Sequence, residues 1–229
     1  MIKTDNYGIV FNKLKSNVLD DWRQYTKHTF VKSIGNASLD RKLYIKYLKQ
    51  DYIFLIHFSR AWALLVAKSN SVNEMRIASA TLNALVNEEI QLHIKTCKAE
   101  GISEEQLFNT LEEVNNLAYT RFVLEAGYSG DFLDLLVALS PCVFGYGEIG
   151  LYLKSISKNV NPYISWIDTY HSNEYQDICM NIGSLLDKAT EERLGKGFVN
   201  NTMWPKLEKT FLTATKLEIG FWEMSLRQE

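Results

Sequence analysis

The chain has 229 residues, 46% of them hydrophobic, enough for one large domain with a sizeable core. Basic and acidic side chains nearly cancel, 25 against 27, so the field that would attract nucleic acid is missing and no nucleic-acid partner is expected. The three cysteines, Cys97, Cys142 and Cys179, are odd in number and far apart with no CxxC spacing, which points to free thiols in a reducing compartment. The opening residues MIKTDNYGIV lack a positively charged start followed by an apolar core, and no apolar run approaches the roughly 18 residues of a membrane span. No linker or internal repeat divides the chain. The expectation is therefore one cytosolic domain over residues 1–229, with no membrane partner.

Apolar residues spaced by three and four predict a first helix over 9–30, through Val10, Phe11, Leu14, Val18, Leu19, Trp22 and Tyr25. Ile34-Gly35-Asn36-Ala37 breaks it. Ser38 is the predicted N-cap of a long second helix reaching about Ser69, with a stripe of Leu43, Tyr44, Tyr47, Leu48, Phe54, Leu55, Phe58, Trp62 and Leu65. A third helix, from Ser71 to Ala99, carries Met75, Ala78, Leu82, Leu85, Val86, Ile90 and His93 and stops before Gly101. Ser103, followed by Glu104 and Glu105, opens a fourth segment that passes Leu111, Val114, Tyr119 and Phe122 towards Gly127. Gly130-Asp131 opens a fifth, ending near Ser155; two shorter helices fit 163–172 and 174–188, and a last one fits 204–227. No stretch alternates at period two for long, so the fold class is all-α, a bundle packed in more than one layer because the aromatic stripes are wide.

Two carboxylates occupy positions where this pattern calls for an apolar side chain. Asp51 lies between Tyr47 and Phe54, and Glu218 lies between Phe211 and the pair Phe221-Trp222. Burying an ionised carboxylate costs several kcal/mol unless it is paired or bonded, so each needs a partner or a purpose; the alternative is a stripe-edge carboxylate that reaches water. Gly220, beside Glu218, suggests a close approach or a packing contact. In Ser140-Pro141-Cys142, serine and proline suit the N-cap and first position of a helix, which would place the Cys142 thiol among free backbone N–H groups that favour a thiolate. The other reading is a proline kink inside one long helix, with Cys142 a small buried residue. Tyr119, Tyr146 and Tyr170, each apolar in body and polar at the tip, suit a pocket that stacks a flat ring, though core tyrosines look the same. Glu89 and His93 share a helix face but lie four apart, whereas the di-iron pattern is Glu-x-x-His, once on each of two helices. His28, His57 and His171 are isolated, and none is near Cys142 in sequence.

Taken together, these positions resemble the TenA (thiaminase II) family, the aminopyrimidine aminohydrolases of thiamin salvage. The likeness begins at His28-Thr29-Phe30-Val31 with Ile34-Gly35, and passes through Gln50-Asp51-Tyr52, His57-Phe58, Glu89, Leu92-His93 and Ala118-Tyr119-Thr120. It continues at Pro141-Cys142 with Tyr146, Trp166-Ile167 and Thr169-Tyr170, and closes at Glu218 with Phe221-Trp222. Any one block is weak, but the ordered set is specific. The resemblance implies a haem-oxygenase-like all-α fold, the cysteine-containing branch, a homotetramer and no metal or organic cofactor.

It also implies roles. Cys142 would add to the electron-poor carbon of a 4-aminopyrimidine, between the ring nitrogen and the carbon bearing the leaving-group arm; the methylene would expel its amine, water would add and the thiol would leave. Asp51 would bond the amidine-like edge, Glu218 would handle protons, and Tyr170 would orient Glu218. Tyr119 and Tyr146 would line the site, with Phe54 and Phe221 sandwiching the ring. Phe54 stands where many members carry tyrosine, which loses a hydroxyl contact and keeps the stacking. The implied small-molecule partner is 4-amino-5-aminomethyl-2-methylpyrimidine, its formylated relative or thiamin. Two rivals remain: a metal- or haem-dependent oxidase on the same fold, and a non-catalytic pyrimidine-binding or regulatory protein.

Overall fold

The computed structural model describes residues 7–158 and 160–227. Among those residues every regular element is helical and none is a strand, as the lack of period-two patterning predicts. The order is α1 (Ile9–Ser16), α2 (Leu19–Thr26), α3 (Thr29–Gly35), α4 (Arg41–Ala67), α5 (Val72–Ala84), a π turn (Leu85–Glu89), α6 (Ile90–Ala99), α7 (Glu104–Phe108) and α8 (Val114–Ser129). There follow α9 (Phe132–Ile156), α10 (Ile164–His171), α11 (Asn173–Leu194), a 3-10 turn (Phe198–Asn200) and α12 (Trp204–Leu226). The chain packs as two compact units: one takes in the described residues through Leu39 together with Leu136–Ile219, the other Asp40–Leu135 and the chain from Gly220 on.

In the first unit, the single helix expected over 9–30 is three short ones. His28 makes the last break: its Nδ1 accepts the Phe30 N–H at 3.2 Å and caps α3. The apolar spacing runs through the breaks because Val10, Phe11, Leu14, Val18, Trp22 and Tyr25 all stay buried. The start of α1 is capped from α11, whose Asp187 carboxylate accepts from the N–H groups of Ile9 and Val10 at 2.9 and 2.8 Å. Gly150 lets α10 close onto α9: a methyl there would lie 2.7 Å from the His171 nitrogen and closer still to the Tyr170 carbonyl.

Helix α9 is long and apolar enough to cross a membrane by length and composition alone, but 89% of its apolar window is buried inside the protein, as in a core helix. Pro141 lies inside this helix, so the reading that placed Cys142 at a helix start is wrong. A proline at this position cannot donate to the Val137 carbonyl, and the Ser140 hydroxyl supplies a donor instead, at 2.9 Å.

In the second unit α4 packs against α5, α6, α7 and α8. Its N-cap is Asp40, whose carboxylate accepts the Lys42 N–H at 2.7 Å, rather than Ser38. The predicted fourth helix is two, α7 and α8. Gln50 of α4 holds the connection, donating to the Leu111 carbonyl at 2.8 Å and accepting the Glu113 N–H at 3.1 Å. Leu111, placed in the apolar stripe by periodicity, is 88% exposed.

The predicted third helix is α5, the π turn and α6 in sequence. An α-helix returns to the same face after about seven residues, yet the buried Leu85 and His93 are eight apart. The extra residue of the π turn restores them to one face. Met75 and Val86, counted in the stripe, are instead 43% and 41% exposed.

Candidate functional site

Asp51 is buried, 2% exposed, on α4. Its Oδ2 accepts from the Tyr47 hydroxyl at 2.8 Å, one turn earlier on the same helix, and meets His93 Nε2 of α6 at 2.7 Å. His93 is fully buried, and its Nδ1 lies 2.9 Å from the Glu89 carbonyl oxygen in the π turn. Burial pulls the His93 pKa down, but the bond to Asp51, the charges of Asp51 and Glu89 and the Glu89 carbonyl outweigh it and hold the pKa above the ordinary histidine value. The stripe-edge reading of Asp51 therefore gives way to a paired, bonded carboxylate. Both ring nitrogens of His93 are thus engaged within the protein. Among the described residues no group of three or more His, Cys, Asp or Glu is placed to hold a metal.

Aromatic rings of the same unit lie beside this carboxylate. Phe54, one turn after Asp51, packs on Tyr119 of α8 with ring centroids 4.9 Å apart. Phe54 also meets Phe221 of α12 at 5.6 Å and an interplanar angle of 63°, and Tyr47 meets Phe221 and Trp222 at 6.2 and 5.5 Å. A ring held between two others puts the outer centroids about 7 Å apart and parallel. Phe54 and Phe221 instead touch edge to face, so a sandwich requires them to separate. Gly220 is a close approach: its carbonyl accepts from Asn115 Nδ2 at 2.8 Å, and a methyl on it would lie 2.9 Å from that nitrogen.

The first unit carries the other predicted residues. Cys142 and Tyr146 stand on α9, 8% and 4% exposed, and Glu218 on α12 is 2% exposed. Tyr146 and the fully buried Tyr170 of α10 have ring centroids 4.8 Å apart, and Trp166 completes the cluster at 4.6 Å from Tyr170 and 5.9 Å from Tyr146. Gln176 of α11 fixes this corner: its Nε2 donates to the carbonyls of Tyr170 at 2.9 Å and Gly147 at 3.2 Å, and it accepts from Tyr7. Two partners of Asp51 went unassigned at the level of sequence. Tyr47 was marked by its place in the apolar stripe and its spacing of four from Asp51, and His93 as a stripe residue, as half of a weak metal pair with Glu89 and in the Leu92-His93 block.

A buried carboxylate with aromatic rings in its own unit is an arrangement of the kind that holds a small, flat, polar molecule. The chain belongs to the TENA/THI-4/PQQC family, which matches it over residues 15–228. It is 36% identical to an aminopyrimidine aminohydrolase from Halalkalibacterium halodurans over 209 residues, 90% of this chain and 91% of that one. It is 37% identical to an uncharacterized protein from Haemophilus influenzae, covering 90% of this chain and 93% of that one. The crystal structure of a TenA family transcription regulator from Silicibacter superposes with a TM-score of 0.96 at 53% identity, covering 99% of this chain and 100% of that one. A TenA homologue from Pyrococcus horikoshii gives a TM-score of 0.84 at 26% identity, over 95% of this chain and 98% of that one.

Proposed function

We propose that the protein is an aminopyrimidine aminohydrolase of the thiaminase II type. It hydrolyses 4-amino-5-aminomethyl-2-methylpyrimidine to the 5-hydroxymethyl pyrimidine and ammonia, with slower cleavage of thiamin. The observation that carries this reading is Asp51: a buried carboxylate bonded through Oδ2 by Tyr47 and His93, with Phe54, Tyr119 and Phe221 in its own unit. A bonded carboxylate beside aromatic faces fits the exocyclic amine and ring of an aminopyrimidine.

In the reaction Cys142 sulfur adds to the ring carbon next to the one bearing the aminomethyl arm, while a proton reaches the ring nitrogen. The electrons then return to expel ammonia, protonated by Glu218, and leave an exocyclic methylene. Water adds to that methylene and loses a proton, and release of the thiol restores the aromatic ring. Tyr170 orients Glu218, and Tyr119 and Tyr146 line the site. The enzyme works in the cytosol as a homotetramer, and light scattering of the purified protein tests that assembly.

The Silicibacter relative is named a transcription regulator, and the second reading for this chain is accordingly a pyrimidine-binding regulatory protein that does not turn its ligand over. The balance of 25 basic against 27 acidic residues disfavours direct binding to DNA. Ammonia release on adding the aminomethyl pyrimidine separates the two: turnover supports the hydrolase, and tight binding without turnover supports the regulator.

A further inference from the structure

We propose that His93 is a positioning residue that shares one proton with Asp51, so that the two form an overall neutral pair and Asp51 offers its ligand one oxygen, Oδ1, as a pure acceptor. The proton count follows from the hydrogen-bond geometry. The Glu89 carbonyl can only accept, so the Nδ1 that faces it at 2.9 Å carries hydrogen. Nε2 and Oδ2, 2.7 Å apart, then hold one proton between them. On Nε2 it makes an imidazolium facing a carboxylate; on Oδ2 it makes a neutral imidazole facing an acid. The pair is neutral either way. The Tyr47 hydroxyl donates to the same Oδ2 at 2.8 Å, so that oxygen is filled from two sides.

The surroundings keep the proton there. Of the elements packed against α6, α4 contributes Asp51 and Tyr47, the π turn contributes Glu89, whose charge also favours a protonated ring, and α7, with Glu104 and Glu105, adds no charge that acts on the ring. The neutral pair also explains how a carboxylate 2% exposed is tolerated, since an unpaired one at such depth would take up a proton of its own. An acid proton free to sit on either oxygen would let Asp51 donate as well as accept. Held at Oδ2 by His93, it leaves Oδ1 to receive N–H groups, which selects a 4-amino group over a 4-oxo group.

The inference rests on the aminohydrolase reading for the identity of the ligand but not for the pair itself, and two measurements separate them. The first needs no ligand. Nitrogen-15 NMR of the imidazoles in the unaltered protein is expected to show Nδ1 protonated across the pH range, and a strongly downfield proton shared with Asp51. A ring that titrates as an ordinary histidine, or one with bare Nδ1, overturns the proposal. The second is calorimetric binding of 4-amino-2,5-dimethylpyrimidine and its 4-oxo counterpart to the unaltered protein and to His93→Gln, with circular dichroism to check folding. The unaltered protein is expected to favour the amino compound, and His93→Gln to lower that preference about tenfold. An unchanged preference in a folded His93→Gln overturns the positioning role. Failure of the unaltered protein to bind either compound refutes the aminopyrimidine reading and leaves the NMR result to decide the pair.

Discussion

The helix that carries Cys142 is held at its proline by one hydroxyl, and a double-mutant cycle measures it. Ser140 and Val137 are both fully buried, with the Ser140 hydroxyl 2.9 Å from the Val137 carbonyl that a non-proline residue at 141 would serve. Ser140→Ala withdraws this donor from a buried acceptor at a cost of about 1–3 kcal/mol, offset by about 0.5 kcal/mol of better helix propensity. The net loss is about 1–2 kcal/mol, or a fall in Tm of about 2–8 °C for a chain of this size. Pro141→Ala restores a backbone N–H to the same carbonyl, so Ser140→Ala in that background should cost about 0.5 kcal/mol or less, a coupling of about 1 kcal/mol. Calorimetry of the four proteins gives the cycle. Strict additivity would refute the idea that the serine replaces the missing backbone bond.

Other consequences follow from the same geometry. Gly150→Ala drives a methyl into the backbone at Tyr170 and His171 and should cost about 1–3 kcal/mol in thermal unfolding, whereas Gly197→Ala, with nothing within 4 Å, should change stability by less than about 0.5 kcal/mol. Equal behaviour of the two would contradict the close α9–α10 approach. Tyr47→Phe removes one donor from Asp51 and should lower stability by about 1–2 kcal/mol in urea titrations; no loss would mean that the bond contributes nothing. His93 has a folded pKa above 6.5, so its pairing contributes fully below that pH and is lost as pH rises through the raised value. The stability gap between the unaltered protein and His93→Gln should therefore narrow on going alkaline, and a widening gap would reverse the assigned sign.

Much of the fold was legible because its long helices carry their stripes openly. The α4 stripe from Tyr44 to Leu65 is buried at the expected positions, and Asp51 sits among them. Misplaced boundaries arose where a side chain from elsewhere closes the backbone. Gln50 holds the α7–α8 connection and His28 caps α3, so three- and four-residue spacing ran on through breaks it cannot register. The π turn is a second kind of failure: it breaks the regular spacing ahead of α6, the helix whose His93 meets Asp51. The carboxylate's need for a partner was legible from its place in an apolar stripe, but the partner's identity was a tertiary fact, 42 residues away.

The central claim is that Cys142 carries the hydrolysis. Ammonia release from 4-amino-5-aminomethyl-2-methylpyrimidine, followed for the unaltered protein and for Cys142→Ala with the same circular dichroism spectrum, tests it most directly. The account predicts steady release by the first and a loss of at least about a hundredfold in the second; full activity in a folded Cys142→Ala would contradict it.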